Sequence, residues 1–287
     1  MPKCICNRFM KNLIPLRRKL FYWDNIVNAM NHSNRGPLQL LRGSVITRFT
    51  EYRTHAKPNR LEIIPASVIQ APNISQLRQC YDSGSTGINV LKQRVKDKQP
   101  DILKGECQYC NMGEPSTIDH YLPQKYFPEF SALSINLIPC CGKCNTAKGE
   151  EWLVLGNRRI INYYYDDLPL VQYLFCEILF RRGVPRAVFS LDITGIGNSM
   201  GEVITNHFVA LHLLDRYKER SAGEIMEVYD AITLRTGSRT LAQIRTELIS
   251  DANALKTSRG QNYWRAILKI ALANSDQFLL SAGFHNN

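Results

Sequence analysis

Apolar positions recur at helical spacing along much of this chain. Residues 11–30 mix basic and apolar positions in a way that predicts a helix. After the polar break "NHSNRGP" a second helix is expected from Leu38 to Tyr52, with Leu38, Leu40, Leu41, Val45, Ile46 and Phe49 near a helical repeat. Pro58, Pro65 and Pro72 predict a loop or short extended piece. Two further helices are expected over 74–81 and 87–98, separated by "DSGSTG", where Ser85 and Thr86 suit an N-cap. Beyond Gly149 the pattern is again mainly helical. "LPLVQYLFCEILFRR" reads as a largely buried helix stopped by Gly183 and Pro185, and "RAVFSLDI" as a short strand. Residues 199–232 have long helical periodicity with a break expected near Ser221–Gly223, and helices over 238–257 and 261–281 close the chain.

One stretch breaks this pattern. In "CQYCNMGEPSTIDHYLPQKYFPEFSALSINLIPCCGKCNTAKG", residues 107–149, the segments "TIDHYLPQ" and "INLIPCC" each have a short β-prone core, and "CNTAKGEEW" suits a short helix. The expected fold is α+β: a mostly helical chain carrying a small hairpin–helix module. Three regions follow from the pattern, a basic and mainly helical 1–104, the module at 105–156 and a mainly helical 157–287.

Composition bounds the class. A chain of 287 residues with 44% hydrophobic and 21% charged content is globular rather than disordered. No apolar run approaches the roughly 18 to 20 residues that span a bilayer, and the basic N-terminus lacks the apolar core and cleavage site of a signal peptide. The reading is a soluble, cytoplasmic protein without a membrane partner. The formal charge of +11 is unevenly placed: residues 1–106 carry 18 Lys and Arg against 7 Asp and Glu, so the whole excess lies upstream of the module. Such asymmetry points to a polyanion, most commonly nucleic acid.

Nine cysteines in a cytosolic-looking chain argue against a disulfide framework, and five of them fall between 107 and 144. Cys107 with Cys110 and Cys141 with Cys144 form two Cys-x-x-Cys pairs, the spacing of a closed, structural four-cysteine zinc site. Cys140 is read as a packed thiol. Asp119 and His120 are neighbours on a strand, so their side chains point to opposite faces. Asn145, on the closing helix, can approach one of them. A carboxylate and an amide oxygen suit a hydrated Mg2+ or Mn2+ ion, and His120 is free to take a proton from water. Asn136, at the start of the second strand, is placed to hold the loop that orients the imidazole.

Together, "IDHYLP…NLIPCCGKCNTAKG" and its Cys-x-x-Cys flanks resemble the HNH endonucleases with their ββα-metal fold, over roughly residues 105–150. Asp119-His120 matches the family's Asp-His position, Asn136 its central Asn and Asn145 its final position, where His is common and Asn a frequent variant. The resemblance implies metal-dependent hydrolysis of a phosphodiester, double-stranded DNA being the first choice. His120 acts as general base, and Asp119 and Asn145 hold the divalent ion. Lys148, Arg158 and Arg159 are candidate contacts to nucleic acid. "DSGSTG", "INYYYDDLP" and "HFVALHLLDRY" give a further likeness to HNH proteins of antiphage defence loci, including Septu-type subunits that pair with an ATPase. A regulated effector with a protein partner such as an ATPase is therefore expected. The alternative is a zinc-stabilised nucleic-acid-binding or partner-docking subunit without catalysis. His207 and His212 are expected to pack, Tyr163–Tyr165 to belong to the core, and Asp166 or Asp167 to cap a helix beginning at 168.

Overall fold

The computed structural model describes residues 12–17, 19–69 and 72–284. It is an α+β chain dominated by helices, with three small antiparallel two-stranded sheets. The chain divides into two compact units, one of Asn12–Asp167 with Glu202–Leu211, the other of Leu168–Gly201 with the residues from His212 onward.

The first unit opens with α1 (Lys19–Asn28), α2 (His32–Leu40) and α3 (Arg42–Ala56). The expected helix over 11–30 is realised as α1 alone, residues 12–17 being non-helical and residues 11 and 18 lying outside the described residues. The expected helix from Leu38 is in fact two. Asn31 caps α2 by accepting the backbone N–H of Asn34 at 3.2 Å, so the polar stretch after Met30 starts a helix instead of separating two. Val45, Phe49, Tyr52 and Ala56 form one buried stripe on α3.

Next come α4 (Asn73–Asp82), α5 (Thr86–Asp97) and the single turn α6 (Asp101–Lys104). Ile88, Leu91 and Val95 bury one face of α5, while Trp23, Ile26 and Val27 of α1 are buried too, and the two helices pack together. The contact is backbone to backbone at Gly87, where a Cβ would lie 2.7 Å from the Ile26 Cα. Ser85 stands at the N-cap position of α5 but its hydroxyl makes no capping bond.

The module follows as β1 (Thr117–His120), β2 (Leu137–Cys140) and α7 (Gly142–Lys148), with a short hairpin of β3 (Leu153–Val154) and β4 (Asn157–Arg158) behind it. In the β1–β2 ladder Asp119 faces Ile138 and His120 faces Leu137. The module has no core of its own. Helix α5 packs on β2, and α3 and α4 pack on the turn Pro128–Phe130 that lies between the strands. The sequence division at 104/105 therefore falls inside a single compact unit, because the N-terminal helices supply the module's walls.

The second unit contains β5 (Leu174–Arg181), β6 (Val184–Leu191), the start of α8 (Asn198–Ala210), α9 (Leu213–Thr233), α10 (Leu241–Arg259), α11 (Trp264–Ala273) and α12 (Asp276–Ser281). The helix expected from "LPLVQYLFCEILFRR" is a strand instead. It pairs with β6 in register from Leu174–Leu191 to Arg181–Val184, and Arg182 and Gly183 turn the chain with φ of 52° and 78°. The break in the next long helical stretch falls at His212, in the left-handed conformation at φ 52°, and α9 runs unbroken through Ser221–Gly223. Helices α9 and α11 cover the hairpin, with Tyr217 stacked on Trp264 at 5.5 Å. Asn262 joins them to β5 by accepting the N–H groups of Tyr173 and Leu174 at 2.7 and 2.9 Å. No helix among the described residues is long and apolar enough to cross a membrane.

Candidate metal centre and active site

The sulfurs of Cys107, Cys110, Cys141 and Cys144 all lie within 4.8 Å of one another, and all four residues are buried. A tetrahedral zinc with Zn–S near 2.3 Å needs sulfurs about 3.8 Å apart, and Cys110 Sγ and Cys141 Sγ are 3.9 Å apart. Packed this closely the thiols compete for protons: hydrogen bonding from Cys107 draws Cys141 well down. The set fits a soft, thiolate-preferring ion with no vacant ligand position, a structural site. The pairs come from the turn before β1 and from the β2–α7 junction, so an ion there ties hairpin to helix. Cys140 points elsewhere, towards the Thr117 hydroxyl, and burial pushes its thiol up to about 12. It packs as a neutral thiol.

His120 is half-buried on β1. Its Nε2 lies 2.9 Å from the carbonyl oxygen of Ser131. A carbonyl only accepts, so Nε2 carries the proton and Nδ1 keeps a lone pair. Burial pushes the imidazole down to about 4, partly offset by the Ser131 carbonyl, so the ring is neutral at pH 7. The amide nitrogen of Gln124 lies 2.9 Å from this protonated Nε2, to which it cannot donate, and 3.4 Å from Nδ1, the ring nitrogen whose lone pair can accept from it. Tyr81 of α4 meets the ring edge-on with centroids 4.3 Å apart.

The segment that carries the Ser131 carbonyl is held from several sides. Asn136 is fully buried; its Oδ1 accepts the N–H of Leu122 at 2.8 Å, and its Nδ2 donates to the carbonyls of Leu122 at 3.0 Å and Phe130 at 3.2 Å. The Ser131 hydroxyl donates to Pro128 O at 2.6 Å, and Arg48 of α3 pairs with the buried Glu129. Asn136 thus fastens both ends of the connection that presents a carbonyl to His120. Sequence reasoning named Asn136 but missed Ser131, Gln124, Tyr81 and Glu129. A backbone acceptor leaves no mark in a sequence; only Glu129, an acid between Pro128 and Phe130, gave a usable signal.

Asp119 points to the opposite face and is buried. Tyr109 OH donates to its Oδ2 at 2.7 Å, and Lys148 Nζ donates to its Oδ1 at 3.0 Å and to the His120 carbonyl at 2.7 Å. Each carboxylate oxygen therefore has one protein donor. In this arrangement the Lys148 ammonium stands beside Oδ1, and the expected pairing of Asp119 with Asn145 is not formed. Asn145 stands half-buried beside Cys144, and among the described residues its side chain makes no hydrogen bond and does not join Asp119.

The candidate nucleic-acid contacts differ in exposure. Lys148 is buried against Asp119 and cannot reach a phosphate. Arg158 is buried with its guanidinium 2.7 and 2.9 Å from the oxygens of Asp166. Asp166 also accepts the N–H of Asn162, and no helix starts at 168 for it or Asp167 to cap. Arg159 is partly exposed and pairs with Glu151 at 2.9 Å. Tyr163 and Tyr164 are buried, Tyr165 is half-buried, and His207 is enclosed between Tyr109 O and Ile161 N.

No protein-family model matches this chain, and no solved structure matches it. The chain is similar to Protein ea31 of Escherichia phage lambda, 29% identical over 246 residues and covering 80% of each protein.

Proposed function

We propose that the hairpin–helix module is the centre of an HNH-type endonuclease that hydrolyses phosphodiester bonds of DNA. The observation that carries this reading is the His120–Ser131 contact: a neutral imidazole whose tautomer is set by a carbonyl, on a loop fastened by Asn136, with Nδ1 directed away from that carbonyl. Such a ring takes a proton from water as the oxygen attacks phosphorus and the P–O3′ bond breaks. Charge arriving on the imidazolium is then shared with the Ser131 carbonyl through Nε2–H, in the way an acceptor behind a catalytic histidine steadies it. Gln124, within reach of Nδ1, occupies the approach of that water and has to yield to it. Zinc on the four cysteines holds the hairpin against α7 and supplies no chemistry. Mg2+ or Mn2+ dependence belongs to the proposal through the family resemblance, and the carboxylate such an ion needs is held by Lys148 in this arrangement.

The reading extends to a regulated effector in bacterial antiphage defence, working with a protein partner such as an ATPase, on the motif likenesses alone. A second reading is favoured by two observations. Closure of Asp119 by Lys148 and Tyr109 suits a zinc-stabilised binding or docking subunit without catalysis, and Phe175, Leu179, Val184 and Val188 on the β5–β6 hairpin are exposed as a docking face would be. Incubating wild type and His120→Ala with DNA and with RNA, with Mg2+ and with chelator, separates the two. The first reading requires cleavage that depends on His120; the second expects no cleavage and undiminished binding.

A further inference from the structure

Two helices outside the four-cysteine module, α4 and α5, stand at the His120 face, and each brings a cation to it. Lys92 of α5 lies over the ring of Tyr81, its Nζ 3.8 Å from the centroid. Tyr81 is pinned in turn, its hydroxyl donating to Ile118 O on β1 at 3.4 Å and its ring meeting His120. The result is a stack of ammonium, phenol and imidazole. Among the described residues Lys92 meets no carboxylate within ion-pair distance; its ammonium has one acceptor, the Tyr81 carbonyl at 3.3 Å. An ammonium has three N–H donors, so two remain. Half-buried against an aromatic face, it stands close to His120 with no carboxylate in direct ion-pair contact, Asp82 acting on it only from beyond that distance.

Arg78, one turn before Tyr81 on α4, adds a second cation. It donates to the carbonyls of Gln124 at 3.2 Å and Lys125 at 3.1 Å, the loop that carries the Gln124 amide to His120. Here too the partners are neutral. By contrast Lys104, Lys125, Lys148 and Lys269 each have a carboxylate partner. Two cations without a carboxylate ion pair, Lys92 and Arg78, thus stand at the histidine whose Nε2 faces the Ser131 carbonyl, and they come from the region that carries the whole charge excess.

We propose that Lys92 contacts a phosphate of duplex DNA bound at the His120 face, with Tyr81 as the platform that holds its ammonium there. This rests on the reading that the His120 face receives nucleic acid, but not on catalysis. The bound phosphate would take the two ammonium donors left after the Tyr81 carbonyl, and no carboxylate is ion-paired to that ammonium among the described residues. One such contact releases about 0.9 of a condensed counterion from B-DNA.

The test is binding of a short fluorescent DNA duplex by full-length protein across a series of NaCl concentrations, in a His120→Ala background without divalent ions. Lys92→Gln is expected to weaken binding and to make the slope of log affinity against log salt shallower by about 0.9. Lys92→Arg is expected to keep the slope, and Lys218→Gln, an exposed lysine on α9, to leave it unchanged. Matched zinc content and melting temperature exclude misfolding as the cause. An unchanged slope for Lys92→Gln, an equal loss for Lys218→Gln, or no duplex binding by the His120→Ala protein would overturn the proposal. If wild type and His120→Ala cleave equally, the nuclease reading falls while the slope still decides on Lys92.

Discussion

Lys148 Nζ stands 3.0 Å from Asp119 Oδ1, both side chains buried and 29 residues apart in sequence. The pair joins α7 to β1, and the same ammonium donates to the His120 carbonyl. Removing one member of a buried pair leaves the other charge uncompensated, at a cost of about 3–5 kcal/mol. Lys148→Met is expected to lose that much in urea unfolding, and the double variant with Asp119→Asn to recover part of it. A loss below about 1 kcal/mol would mean that water reaches the pair and that Asp119 is open to other cations.

Zinc binding has a separate signature. One zinc per chain is expected by elemental analysis, and Cys144→Ser is expected to lower it and to unfold the first unit, since a structural site contributes on the order of 10 kcal/mol. Cys140→Ser is expected to keep full zinc content, because that thiol lies outside the cluster. Equal zinc loss in both variants would show that Cys140 is a ligand.

Asn136→Ala deletes three hydrogen bonds in a fully buried setting and leaves the Leu122 N–H without its acceptor. A destabilisation of about 2–3 kcal/mol is expected, with zinc content unchanged. The Ser131 carbonyl then loses its support, so cleavage falls further than stability alone explains. Activity at the wild-type level in the folded Asn136→Ala protein would contradict the role given to the loop.

His207 makes stability depend on pH. Burial pushes its imidazole down to about 4 from an ordinary 6.5, so the unfolded chain binds this proton more readily than the folded one. Its contribution is complete above pH 6.5 and is lost as pH falls towards 4, amounting to on the order of 3 kcal/mol. Urea unfolding at pH 7 and pH 4.5 is expected to show this loss in wild type and a smaller one in His207→Gln. Equal losses in both proteins would place the pH dependence elsewhere.

What was legible in the sequence is what depends on short spacing. Two Cys-x-x-Cys pairs, Asp119-His120 and the β-prone segments lie close enough in the chain for local geometry to define them, and the four sulfurs do meet. The β5 strand was misread because Phe175 and Leu179 are exposed apolar residues on its solvent face, which erases the alternation that marks a half-buried strand. Lys148 and Arg158 were misplaced because their charge alone suggested solvent, whereas each is buried against a carboxylate that no spacing pattern pairs with it, Asp119 and Asp166. The hold on His120 comes from a backbone carbonyl and from α3 and α4, contacts that no pattern of residue types predicts.

The central claim is that His120 is the proton acceptor in phosphodiester hydrolysis, and the rate of DNA cleavage by His120→Ala against wild type at matched zinc content tests it most directly. A general base contributes roughly 100-fold to 10,000-fold, so slow cleavage by the isolated wild type and a loss of that size in the variant are the expected results. Equal rates for the two folded proteins, or no cleavage by wild type with either Mg2+ or Mn2+, would contradict it.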